Sequence, residues 1–170
     1  MKARSTTAAL SAAALLAGCT FAQRALVLGP VGPSVAQSQN IDSKGTLVVY
    51  SALDVHEPDM SGFGDVQRHS DYKLFTEDGK LLQFVHNHPH HLDEEPAPVR
   101  LPAGRYRVVA DSNGYGVVTV LVVIEASQTT TVHLEGGGSW PNEAAFTKAN
   151  SVRLPDGQVV GYRAAEERIP

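Results

Sequence analysis

The residues whose types and spacing could do chemistry lie in one run, Val85-His86-Asn87-His88-Pro89-His90-His91, followed by Asp93, Glu94 and Glu95. Four of the chain's seven histidines fall within six positions. In an extended chain His86 and His88 point to the same side, so two imidazoles can share one ion, with His90 or His91 returning after the bend at Pro89. Imidazole beside carboxylate suits zinc, copper or nickel. The competing reading is a solvated polar loop beyond a strand end, because dense histidine tracts bind metals weakly by composition alone. Protonation of several of these rings in mild acid would also shift the charge of an acidic loop, a second possible use. Signatures of catalysis are missing: the chain has no GxSxG, no HExxH and no P-loop. Asp71 and His86 are expected to face each other across a hairpin, but Ser70 beside them does not make a triad, and an exposed cross-strand ion pair accounts for them. The chain reads as a non-enzyme.

The N-terminus has the pattern of an export signal. Lys2 and Arg4 precede the apolar stretch Ala8 to Leu16, which is too short to span a bilayer as a helix. It ends in Leu16-Ala17-Gly18-Cys19, which resembles the bacterial lipobox, and Cys19 is the only cysteine. The resemblance implies cleavage before Cys19, lipidation of that residue and attachment to a membrane through the acyl chains. Thr20, standing where an aspartate would favour the inner membrane, implies the outer membrane or cell surface. The alternative is an ordinary signal cut after Ala22, which discards Cys19. Net charge is −4; removing residues 1–18 takes away two basic residues and no acidic one, leaving 12 basic against 18 acidic, or −6. That balance excludes the basic footprint of a nucleic-acid binder.

With 170 residues, 42% of them hydrophobic and 19% charged, one folded domain is expected after the signal. Residues 19–43 carry Gly29-Pro30, Gly32-Pro33 and a polar run, and read as a flexible tether. The domain is expected over 44–135, with seven strands. Lys44 to Leu53 starts it, and Tyr72 to Glu77 and Lys80 to His86 flank Asp78-Gly79, the signal of a two-residue type I′ hairpin. That register pairs Phe75 with Leu82, Glu77 with Lys80 and Asp71 with His86. Val99 to Leu101, Arg105 to Ala110, Gly116 to Ile124 and Thr129 to Leu134 complete the set, divided by turn residues. Gly116 to Ile124 is apolar on both faces and should be central. Strands at this spacing without helical crossovers predict an all-β, seven-strand antiparallel β-sandwich or a barrel.

The stretch Leu101-Pro102-Ala103-Gly104-Arg105-Tyr106-Arg107-Val108, then Gly114-Tyr115, then an all-β run to Thr129–Leu134, resembles the second half of carboxypeptidase regulatory-like and PEGA-type domains. Gly45-Thr46-Leu47-Val48-Val49 fits the same start. The resemblance covers about half the chain and implies an immunoglobulin-like or transthyretin-like sandwich. Ser127 stands where those families usually have glycine, and the histidine run has no counterpart in them. Physically, Pro102 and Gly104 set a turn, Tyr106 buries its ring with a hydroxyl free to reach a partner, and Gly114 serves the next turn. Residues 136–170 are expected to form a C-terminal extension: a short helix within 142–150, then a hairpin around Pro155-Asp156-Gly157. Trp140, Tyr162 and Arg163 read either as pins for that extension or as a ligand platform. The whole is expected to be a lipid-anchored, non-catalytic envelope module for binding, adhesion or structure, its partner an envelope protein or polysaccharide. The alternative is a metal-binding lipoprotein using His86 to His91.

Overall fold

The computed structural model describes residues 25–34, 43–55, 67–87, 95–137, 140 and 143–165. In chain order the strands are β1 Leu26–Gly32, β2 Lys44–Tyr50, β3 Leu53–Val55, β4 Gln67–His69, β5 Tyr72–Thr76, β6 Leu81–Val85, β7 Val99–Pro102, β8 Gly104–Ser112, β9 Gly116–Ile124, β10 Thr129–His133, β11 Ser151–Arg153 and β12 Val159–Arg163. A 3-10 turn at Glu143–Ala145 is the helical element of the described residues, and none of their helices is long and apolar enough to cross a membrane. The protein is all-β. Its sheets have seven strands (β11-β12-β1-β9-β8-β5-β6), three (β10-β2-β7) and two (β3-β4).

Alternation explains how the core assembles. On β9, Val118, Val120, Val122 and Ile124 are buried, and their register partners Val108 and Ala110 on β8 are buried with them. Leu74 on β5 extends the same row. From the three-stranded sheet come Leu47, Val49, Leu101 and Val132, and all of these belong to one apolar cluster. The two larger sheets therefore share a single core. As its two-sided apolar pattern predicted, β9 is the middle strand of seven.

Four expectations change. The stretch read as tether supplies β1, because Leu26, Leu28 and Val31 match Val118, Val120 and Val122 side by side. Its Gly-Pro pair, taken as a breaker, is absorbed at the irregularity between Leu28 and Val31. Strict antiparallel order also fails: β1 runs parallel to β9, and β10 parallel to β2. Such pairings join strands distant in sequence, where local turn chemistry carries no information. Third, the C-terminal hairpin is a working part of the large sheet, since β12 pairs with β1. The described residues hold twelve strands, where seven were expected in the domain and a hairpin in the extension; β1 and the β3–β4 pair are the additions.

The fourth change is at the β5–β6 turn. Tyr72, Lys73 and Leu74 pair with Val85, Phe84 and Gln83 as expected, but Phe75 pairs with Leu81 instead of Leu82. The amide of Thr76 donates to Lys80 O at 2.9 Å, which makes Glu77-Asp78-Gly79 a three-residue loop. Of these three only Gly79 has positive φ, at +90°. A type I′ turn would need Asp78 there too; instead the Thr76 hydroxyl donates to the Asp78 carboxylate, tying it back over the loop. The same bond holds the Asp78 carboxyl below the usual carboxylate range. Glu77, freed from Lys80, lies 3.9 Å from Arg105.

The Leu101-Pro102-Gly104-Tyr106 motif behaves as a corner. Leu101 is buried, and the Tyr106 hydroxyl donates to Pro102 O at 2.9 Å while the ring, half-buried rather than fully enclosed, packs against the core and beside Gly104. Gly114 and Tyr115 form the β8–β9 turn, with the Tyr115 ring exposed. Tyr106→Phe keeps the packing and removes one partly solvated bond, so a loss of about 1 kcal/mol in denaturant unfolding is expected. Tyr106→Ala should cost more, as the ring's contacts go too.

Candidate functional site

Where β2 ends, at Val49, Tyr50 and Ser51, the polar and aromatic groups of the molecule converge. Asn87 is wholly buried there: its side-chain amide donates to Val49 O at 2.7 Å and to Ser51 Oγ at 2.9 Å, and its Oδ1 accepts from Ala97 N at 3.1 Å. Its own backbone amide donates to Asp71 Oδ1 at 3.0 Å. The Asp71 Oδ2 accepts from His86 Nδ1 at 2.9 Å, the cross-strand pair expected from the hairpin. On the other side of residues 88–94, Glu95 accepts a bond from the Tyr50 hydroxyl at 3.3 Å. Both borders of the histidine run are thus fastened to the end of one strand.

Two histidines that the sequence analysis did not single out are buried at the same place. His69 donates from Nδ1 to Ser51 O at 2.8 Å, and its ring stands edge-on to Tyr50. A ring nitrogen that donates to a carbonyl leaves the other as an acceptor. His133 stacks on Tyr50 with centroids 4.3 Å apart, and its Nδ1 donates to Glu135 Oε1 at 2.6 Å with both side chains buried. Burial, and then the negative charges of Glu95 and Glu135, push the Tyr50 phenol above its ordinary value. A signal for the His133–Glu135 pair was present in the sequence: residues i and i+2 at a strand end share a face.

Trp140 closes over His133 with ring centroids 3.9 Å apart, and its Nε1 donates to Val159 O at 3.0 Å. Phe146 and Tyr162 pack against it. Arg163 gives a guanidinium N–H to Ser151 O at 2.9 Å. Trp140, Tyr162 and Arg163 therefore pin the C-terminal hairpin.

The chemistry available here is that of a tie. The Ser51 hydroxyl donates to Ser70 O at 2.5 Å, so its proton is not directed at His69. Among the described residues no three His, Cys, Asp or Glu side chains are grouped to hold a metal ion. His86 is described; His88, His90 and His91 lie outside the described residues, as does Cys19. No protein-family model matches the chain, and no similar curated protein or solved structure was found.

Proposed function

We propose that the protein is a lipid-anchored envelope protein whose all-β body, an immunoglobulin-like or transthyretin-like sandwich, is a non-catalytic module for binding or structure at the outer membrane or cell surface. The observation that carries this reading is the Leu16-Ala17-Gly18-Cys19 pattern behind a short apolar segment, with Cys19 the sole cysteine. Two sheets around one core support the sandwich. The use of Asn87, His69 and Ser51 as ties between strand ends supports the absence of catalysis. The partner in this reading is an envelope protein or polysaccharide. The alternative is zinc, copper or nickel held by His86, His88, His90 and His91; the bond from His86 Nδ1 to Asp71 is compatible with it, since it leaves Nε2 for an ion, but of the four only His86 is among the described residues.

Fractionation tests it. Cys19→Ala should move the protein from the membrane pellet to the soluble fraction almost completely, because stable anchoring depends on the acyl chains. Metabolic labelling with a radiolabelled fatty acid should be lost in parallel. Unchanged fractionation of the variant would overturn the anchor.

A further inference from the structure

The outward face of the seven-stranded sheet is apolar where a water-facing sheet would be polar. Val27 is 58% exposed, Val117 59%, Leu81 53% and Phe84 48%. Register places all four on that face: Val27 lies beside Thr119 and diagonal to Val117, next to core-facing Val118, and Phe84 and Leu81 lie beside Lys73 and Phe75 at the β6 edge. Basic and acidic side chains alternate among them, with Lys73, Arg105 and Arg107 beside Asp71, Glu77 and Asp111, and Arg105 3.9 Å from Glu77. The chain as a whole is acidic, at −4, whereas the charges of this face balance and its distinguishing feature is exposed apolar surface.

Chain length says what the face meets. Six residues separate Cys19 from Leu26, and a chain reaches at most about 3.5 Å per residue, so an acylated Cys19 holds Leu26 within about 25 Å of the lipid. Beyond Leu26 no slack remains, because β1 is hydrogen-bonded between β9 and β12 inside the sheet. We infer that the outer face of the seven-stranded sheet rests on the phospholipid surface to which Cys19 is anchored, with Val27, Val117, Leu81 and Phe84 at the acyl boundary and Lys73, Arg105 and Arg107 among anionic head groups. Long basic side chains suit this position, since their stems lie along apolar surface while their charges reach the phosphates. The inference rests on the lipid-anchor reading.

The test uses the full acylated chain in vesicles of phosphatidylethanolamine and phosphatidylglycerol. With Cys19 acylated, Val117→Cys carries the only free thiol for an environment-sensitive fluorophore; Thr129→Cys, exposed on β10 of the three-stranded sheet, is the control. Co-flotation with the vesicles reads the anchor, and quenching by lipids spin-labelled near the head group reads docking. The expected result is flotation of both, with quenching severalfold stronger at position 117 than at 129. Flotation with equal, weak quenching at both positions overturns docking while leaving the anchor intact. Blue-shifted emission at 117 without lipid quenching, as a second copy covering the face would give, overturns it as well. Failure to float overturns the anchor reading and the docking with it.

Discussion

Asn87→Ala lowers the free energy of unfolding by about 3 kcal/mol, because three hydrogen bonds disappear at once, two of them buried and one part-buried. Val49 O loses a donor at 2.7 Å, Ser51 Oγ one at 2.9 Å and Ala97 N its acceptor at 3.1 Å. Each loss costs about 1 kcal/mol, and a buried group left without any partner costs more. Equilibrium denaturation in urea should show the midpoint falling at constant slope, the mark of a change in stability and not in the surface exposed. Asn87→Asp, nearly the same shape, should be no better, since its oxygens would face the Val49 carbonyl. A loss below about 1 kcal/mol for Asn87→Ala would mean that water replaces the amide and that the end of β2 is open to solvent.

The second large effect is at Gly45. Its φ lies outside the left-handed region, so the backbone does not demand glycine; the neighbours do. Ser127 N donates to Lys44 O at 3.0 Å and Thr46 N to Gln128 O at 2.9 Å, drawing the β9–β10 turn down onto β2. A Cβ at position 45 would run into Glu125 O and meet Ile124 Cγ2 at 2.7 Å and Gln128 O at 3.0 Å. Two of those three are backbone atoms and cannot rotate away. Gly45→Ala should cost about 3 kcal/mol, at the upper end of ordinary overpacking, and lower the midpoint of thermal unfolding by roughly 10 °C. Circular dichroism melts check it; an unchanged melting temperature would show that the turn lifts off freely.

How much of this was legible depends on the range of the interaction. β5 to β10 follow from alternation and turn residues; Asp71 was set against His86 from a two-residue turn that does not form, and the pair holds because the register shift between Leu74 and Phe75 offsets the extra loop residue. The turn itself was misread because Asp-Gly serves both a two-residue loop and a three-residue one, and the Thr76 side chain decides between them. β1 was missed because its partners on β9 and β12 are far away in sequence, while its glycines and prolines speak for a linker locally. The same blindness hid the candidate site. Attention fell on the histidines of the run, yet the residue that fastens its start is Asn87, and the two buried rings, His69 and His133, reach Tyr50 from strands β4 and β10. Gly45 was legible as part of a strand but not as a contact.

The position of β1 also sets an order of events in folding. Leu26 pairs with Val118 near one end of the chain, and Val31 with Arg163 near the other. The large sheet is therefore closed by contacts with very long loops, whose entropy must be lost before the pairing enthalpy is gained. Until β12 has emerged, β1 can join β9 but has no neighbour on its other side, and that edge of β1 stays open to other chains. Folding of this protein should be slow, and a chain cut before β12 should retain the β8–β9 hairpin but expose the open edge of β1 to aggregation.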